Sequence, residues 1–341
     1  LSYLYCNSTY KGSYKIFKKF KNFIAIFIVA TFIMPQSVFA YSKYIVAGGE
    51  NIGLQINNNG IIVAGFYKIG NIDNSSYLRK GDTIVEAGGK NITSIDEFVN
   101  AIKESNGSNL KIVYTRDKKR ESTNINLIND NGTIKTGLYI KDTVSGIGTL
   151  TYIDPNTRLY GALGHEVFES STGIMMNVKD GKIYDSNVTS IEKSTRGDPG
   201  CKNANVDQNK VFGKIAENTK SGVFGKYEKE IDKSNLYEVG EYKDIKVGNA
   251  KIITVINGKD KKEYDINIIK VNNNVNDNKN ILFEITDDEL LSKTGGIIQG
   301  MSGSPIVQDK KIIGAVTNVV VNNPKRGYGI LITTMLKEAE N

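Results

Sequence analysis

Between Asn129 and Asn341 apolar residues come in short runs broken by Gly, Asn and Asp, with little sustained helical periodicity. A stretch of this kind has no long helical face to bury, so its backbone must pair between neighbouring strands. The clearest pair is Gly146–Ile153 and Leu159–Leu163, joined by the turn Asp154-Pro155-Asn156-Thr157 and ending at Gly164-His165-Glu166. Ile281–Ile285 reads as a strand, and Thr286-Asp287-Asp288-Glu289 as the opening of a short helix through Leu291. Val211-Phe212-Gly213-Lys214 recurs as Val223-Phe224-Gly225-Lys226, two matching strand corners.

Near the end, Gly300-Met301-Ser302-Gly303-Ser304-Pro305 leads into a hairpin over Ile306–Val316 with a polar tip. Glycines on both sides of Ser302 let the backbone bend so that the amides of Gly300 and Ser302 face one oxygen, as an oxyanion hole requires. The same residues also suit a plain Gly-Ser turn. Ser304, beside Pro305, is better placed to brace the loop than to attack. The chain has one histidine, His165, and imidazole is the side chain best suited to take a proton from a serine near neutral pH. Asp287 precedes Ser302 by fifteen residues and could orient that imidazole, or simply sit in the first turn of its helix. Asp180, Asp185 and Asp198 are weaker competitors.

The two cysteines, Cys6 and Cys201, make no disulfide framework, and Cys201 after Asp198-Pro199-Gly200 reads as a loop thiol. One histidine and two distant cysteines exclude the usual zinc sites, and no phosphate-binding Gly-Lys-Ser/Thr loop is present. No cofactor and no metal are expected.

The net charge of +7 suggests nucleic acid until its origin is traced. Lys11, Lys15, Lys18, Lys19 and Lys21 precede the apolar run Phe23–Met34, which is followed by Pro35 and the small-residue end Val38-Phe39-Ala40. Those lysines stand without an acid in residues 1–40, and the remainder carries only +2. No nucleic-acid partner is expected. The layout is that of an export signal, or of an uncleaved signal-anchor through residues 23–40.

Residues 45–128 resemble a PDZ domain of the kind attached to bacterial proteases. The resemblance rests on Leu78-Arg79-Lys80-Gly81-Asp82-Thr83-Ile84, the turn Gly88-Gly89, and the capping box Ser94–Glu97 opening a helix with Ile95, Phe98, Val99 and Ile102 on one face. Ile52–Ile56 and Gly60–Ala64 are expected to form strands joined by a turn at Asn57-Asn58-Asn59. The resemblance implies an extended peptide added to a sheet edge. Gly49, Ile52 and Gly53 would then form the carboxylate loop, and Ile95, Phe98 and Ile102 the flanking helix.

Taken in order, the leader, the PDZ-like region, Gly161-Ala162-Leu163-Gly164-His165 and Gly300–Pro305 resemble the stage IV sporulation protein B family of serine peptidases. Val188–Lys193, Phe283–Asp287 and Thr294–Thr317 contribute to the likeness, while Asn318 stands where many relatives have His. The resemblance implies a trypsin-like mechanism with His165, Asp287 and Ser302 as triad. It further implies self-cleavage and cutting of a membrane-bound sporulation protein between forespore and mother cell. The PDZ-like domain would bind the chain's own N-terminal region or a protein C-terminus. The expected fold is mainly β: a leader (1–40), an α+β PDZ-like domain (45–128) and a β-barrel-like serine peptidase domain (129–341). A catalytically silent envelope scaffold and a general quality-control protease are the competing readings.

Overall fold

The computed structural model describes residues 41–340 apart from Ile72, Asn106, Val275 and Asn276; the leader lies outside the described residues. The chain opens with β1 (Tyr44–Ala47), β2 (Asn51–Phe66), β3 (Thr83–Ala87) and β4 (Lys90–Asn91). Helix α1 (Ile95–Glu104), β5 (Asn109–Arg116), β6 (Lys119–Asn126), β7 (Ile128–Asp130) and β8 (Thr133–Lys135) lead to the long β9 (Leu138–Ile153). Next come β10 (Leu159–Ala162), a small hairpin of β11 (Phe168–Glu169) and β12 (Ile174–Met175), and β13 (Val178–Glu192). They are followed by β14 (Cys201–Thr219), β15 (Gly222–Tyr227) and β16 (Leu236–Val239). The last part holds β17 (Gly248–Val255), β18 (Lys261–Val271), β19 (Ile281–Ile285) and α2 (Asp288–Thr294). It ends with β20 (Pro305–Gln308), β21 (Lys311–Val319), β22 (Arg326–Leu331) and α3 (Ile332–Glu338).

The strand registers close two rings. In the first, β2, β9, β10, β15, β14 and β13 pair in that order and return to β2, always antiparallel. In the second, β17, β18, β19, β22, β21 and β20 do the same. Alternating side chains fill each ring: Ile52, Leu54, Leu150, Tyr160 and Ile183 in the first, Ile252, Tyr264, Phe283, Met301 and Ile306 in the second. A third apolar cluster, with Tyr152, Phe224, Ile253, Ile312 and Met335, joins the two rings. Strand β1 links them further, pairing with β9 and with β16, which runs parallel to β21.

The PDZ part interrupts the first ring. Its core of Ile61, Leu78, Ile84, Phe98, Ile112 and Leu138 draws on the second half of β2, on β3, β5 and β6, on α1 and on the start of β9. The motif at Leu78–Ile84 has a plain physical content. Leu78 and Ile84 are buried, Gly81 turns at φ 96°, and the buried Asp82 accepts both arms of the Arg116 guanidinium (2.7 and 2.6 Å). This fork raises the Arg116 pKa further above its ordinary value, the side-chain bond from Asp82 being the main cause. Helix α1 starts at Ser94, whose hydroxyl accepts from the Glu97 amide while Glu97 accepts from the Ser94 amide.

One expectation about this region needs correction. Asn57-Asn58-Asn59 is not a hairpin turn: β2 runs straight through it, and the register against β9 slips between Asn57 and Ile62. Asn58 secures this bulge by donating to the Gly60 carbonyl and accepting from the Asn177 amide. The first half of β2, within the expected 45–128, is shared with the first ring through β13 and β9, and β1 pairs with β9.

Candidate active site

His165 leaves the first ring just after β10, through Leu163 and Gly164, which take φ values of 69° and 72°. A left-handed leucine is costly, and here it is buried and held, its amide donating to the Thr149 carbonyl. The His165 Nδ1 lies 2.8 Å from the Glu166 carbonyl oxygen. A carbonyl only accepts, so Nδ1 carries the proton and Nε2 keeps its lone pair free to act as a base.

Ser302 comes from the second ring, on the loop entering β20. The loop is tied to the first ring through Thr149, whose amide donates to the Ser302 carbonyl (3.0 Å) and whose hydroxyl donates to the Gly300 carbonyl (2.8 Å). Gly303 is obligatory on two counts. Its φ is 94°, and a Cβ there would lie 2.1 Å from the Thr149 carbonyl oxygen. The amides of Met301, Gly303 and Ser304 donate to Ile298, Val316 and Met301 respectively, leaving those of Gly300 and Ser302 without an acceptor among the described residues. His165 and Ser302 line one cleft of about 920 Å³, together with Ile147, Ile298, Gly300 and Asn318. The Ser302 hydroxyl donates to the Thr317 carbonyl (2.8 Å) and not to the imidazole.

Asp287 does not share this cleft. One carboxylate oxygen accepts from the Leu290 amide (2.8 Å) and the other from the Asp265 amide (3.4 Å), making Asp287 the N-cap of α2. Asp180 pairs with the Asn57 amide and Asp185 with Lys259, and neither touches His165. Among the described residues no carboxylate hydrogen-bonds the imidazole; the Glu166 carbonyl fills that position. Ser304 is fully buried behind the loop, with its amide on the Met301 carbonyl.

The groove residues separate. Both edges of β2 at Ile52 and Gly53 are occupied, by β13 and by β9, so no peptide can add there. Gly49 donates to the Leu150 carbonyl, and Ile52 is buried in the first ring. Phe98 points into the PDZ core, whereas Ile95 and Ile102 are only half-buried on α1.

Two residues at the cleft escaped sequence reasoning. Thr149 looks like any strand threonine, and only the fold shows its bonds to the loop. Lys202, 2% exposed, donates its backbone amide to Gln299, runs its stem under Gly300 and ends 3.1 Å from the Thr254 hydroxyl. Burial pushes its amine down to about 7. The loop that follows His165 is pinned by the buried Glu169. Burial alone would raise its pKa, but Lys141 and the Ser171 and Thr172 donors outweigh this and hold it at about 2.

Two strand rings meeting at a cleft that holds a glycine-flanked serine and a histidine, with a PDZ domain set into one of them, define a PDZ-bearing serine peptidase. The family description SpoIVB peptidase S55 matches residues 132–336, and the PDZ domain description matches residues 51–127. The chain belongs to the SpoIVB peptidase S55 family. Among solved structures, it is similar to the PDZ domain of an SdrC-like protein from Listeria monocytogenes. That likeness has 28% identity over 26% of this chain and 93% of the other, with a TM-score of 0.22. It is also similar to the Rv3671c protease in its inactive form, with 11% identity over 57% of this chain and 84% of the other and a TM-score of 0.32. A mutant of Rv3671c from M. tuberculosis H37Rv, likewise inactive, gives 10% identity over 57% and 81%, with a TM-score of 0.30. No curated protein matches the chain.

Proposed function

We propose that this serine peptidase is an exported regulatory endopeptidase of sporulation, with Ser302 as nucleophile and His165 as its base. Ser302 Oγ attacks the peptide carbonyl while its proton passes to His165 Nε2. The amides of Gly300 and Ser302 receive the oxyanion, the imidazolium returns the proton to the leaving amine, and water then hydrolyses the acyl-enzyme. The observation that carries the reading is the pair of amides flanking Met301, unpartnered among the described residues, in the loop that lines one cleft with His165. In this reading the Glu166 carbonyl, and not Asp287, orients the imidazole.

The biological role rests on the family. The chain would cut itself and the exposed part of a membrane-bound signalling protein between forespore and mother cell. No helix among the described residues is long and apolar enough to cross a membrane, so anchoring would fall to residues 23–40. The test is reaction of the full chain with an active-site serine probe, mapping of the labelled peptide, and comparison of self-processing with Ser302→Ala. Label on Ser302 and loss of processing in the variant are expected. Processing that continues in Ser302→Ala supports the silent scaffold instead, and indiscriminate digestion of unfolded casein supports a quality-control enzyme.

A further inference from the structure

With both edges of β2 paired at Ile52 and Gly53, an extended peptide needs another edge, and β9 has one. From Leu138 to Gly148 this strand has β2 on one edge; among the described residues no strand pairs with the other, since β1 and β10 join only from Leu150 onward. Its side chains follow the same division. Tyr139 to Ile147 are exposed or half-buried, whereas Gly148 to Ile153 are buried. An unpaired edge of this length in a folded protein is a template for another strand.

The two ends of that edge lie at two different features. At its start, α1 packs against it: the Ile95 amide donates to Asp142 (2.8 Å), and Ile140 joins the same apolar cluster as Ile95 and Ile102. Ile95, Val99 and Ile102 recur at helical spacing as a half-exposed apolar stripe, with Val99 37% exposed. At its end the strand borders the cleft, where Thr143 to Ile147 line the same space as His165 and Ser302, and Thr149 ties down the loop bearing Ser302.

We propose that the part of the substrate C-terminal to the cut bond adds antiparallel to the open edge of β9. It would run from Gly148 back toward Gly137, with its far end seated on Ile95, Val99 and Ile102. The PDZ part and the active site then hold one continuous stretch of the same polypeptide. The occupant is an extended chain because both flanking ladders are antiparallel and the strand's outer backbone groups need partners. It is apolar at its far end because the α1 stripe is apolar. The track is ~35 Å long, enough for roughly ten residues at ~3.3 Å each. The proposal rests on Ser302 being the nucleophile.

The test uses the full chain, with the segment at which it cuts itself as probe. Cut sites are mapped by mass spectrometry, and the best-cut segment is synthesised with about four or about ten residues beyond the cut, lengths set by the track. The longer peptide is expected to show a kcat/KM at least about tenfold higher. Val99→Lys should bring the longer peptide down to the value of the shorter one, and Val99→Ile should keep the advantage. Equal rates for the two lengths overturn the proposal. So does an advantage that survives Val99→Lys, or a loss that is the same for both. Cutting undiminished in Ser302→Ala overturns the nucleophile assignment as well, and that variant distinguishes this failure from the others.

Discussion

The two rings are built to the same strand plan and differ in what they leave open. In the second, β20 is buried along its whole length and Ile312 to Thr317 of β21 are buried too, so the loop bearing Ser302 emerges from a closed apolar body. In the first, β9 and β14 are long and largely exposed over much of their length, and β2 carries the PDZ insertion partway along. A well-packed ring holds a nucleophile and two amides steady. A ring with long open strands offers hydrogen-bonding edges on which a polypeptide can be collected. On the proposed mechanism the chemistry needs residues from both rings, while the proposed peptide-gathering surface lies with the first.

The largest expected effect tests the second ring. Ser302→Ala should lower kcat by roughly 10⁴–10⁶-fold on any peptide the wild type cuts, read by product release under saturating substrate. Gly303→Ala comes next. A Cβ at φ 94° has to push on the Thr149 carbonyl, and a displaced loop should cost ~10²-fold in kcat with the chain still folded by circular dichroism.

Lys202→Met separates steadiness from charge. The folded amine holds its proton only below about 7, whereas the ordinary value is 10.5, so unfolding takes up a proton between those limits. Stability therefore climbs with pH across that window, and the penalty of burial is present in full below it. Removing the amine should stabilise the protein by roughly 3–5 kcal/mol at pH 6, with the gain vanishing above about pH 10.5 in denaturant titrations. The smallest effect is expected at Asp287. Asparagine caps a helix nearly as well as aspartate, so Asp287→Asn should leave kcat within about threefold, whereas a triad acid would lose ~10⁴-fold. Asp287→Ala should lower stability by about 1 kcal/mol.

Much of the cleft was legible because its chemistry is local. Gly300, Ser302 and Gly303 lie close together in sequence, and the left-handed turns at Gly300 and Gly303 are written in their residue type. His165 was legible by elimination, and the PDZ core because Leu78, Gly81, Asp82 and Ile84 answer one another within a few residues. Asp287 stayed open between two roles because a carboxylate before a helix looks the same whether it caps the helix or orients an imidazole; its two amide partners make it the cap of α2. Gly49, Ile52 and Gly53 were misplaced because a strand's neighbours come from far along the chain. The signal for the edge of β9 that no strand covers among the described residues, the alternation in Leu138-Tyr139-Ile140-Lys141 after Gly137, lay just beyond the expected boundary.

By itself, the order of residues determined what could be settled within a turn or a strand: a β-rich chain, a glycine-flanked serine, a single imidazole and a capped helix. Tertiary structure alone decided which strand edges are covered, which carbonyl holds the histidine, and which lysine lies beneath the nucleophile loop. The physical reason is that turns and caps depend on neighbours in sequence. Strand pairing, desolvation and the meeting of two rings depend on groups that the chain brings together only after it has folded.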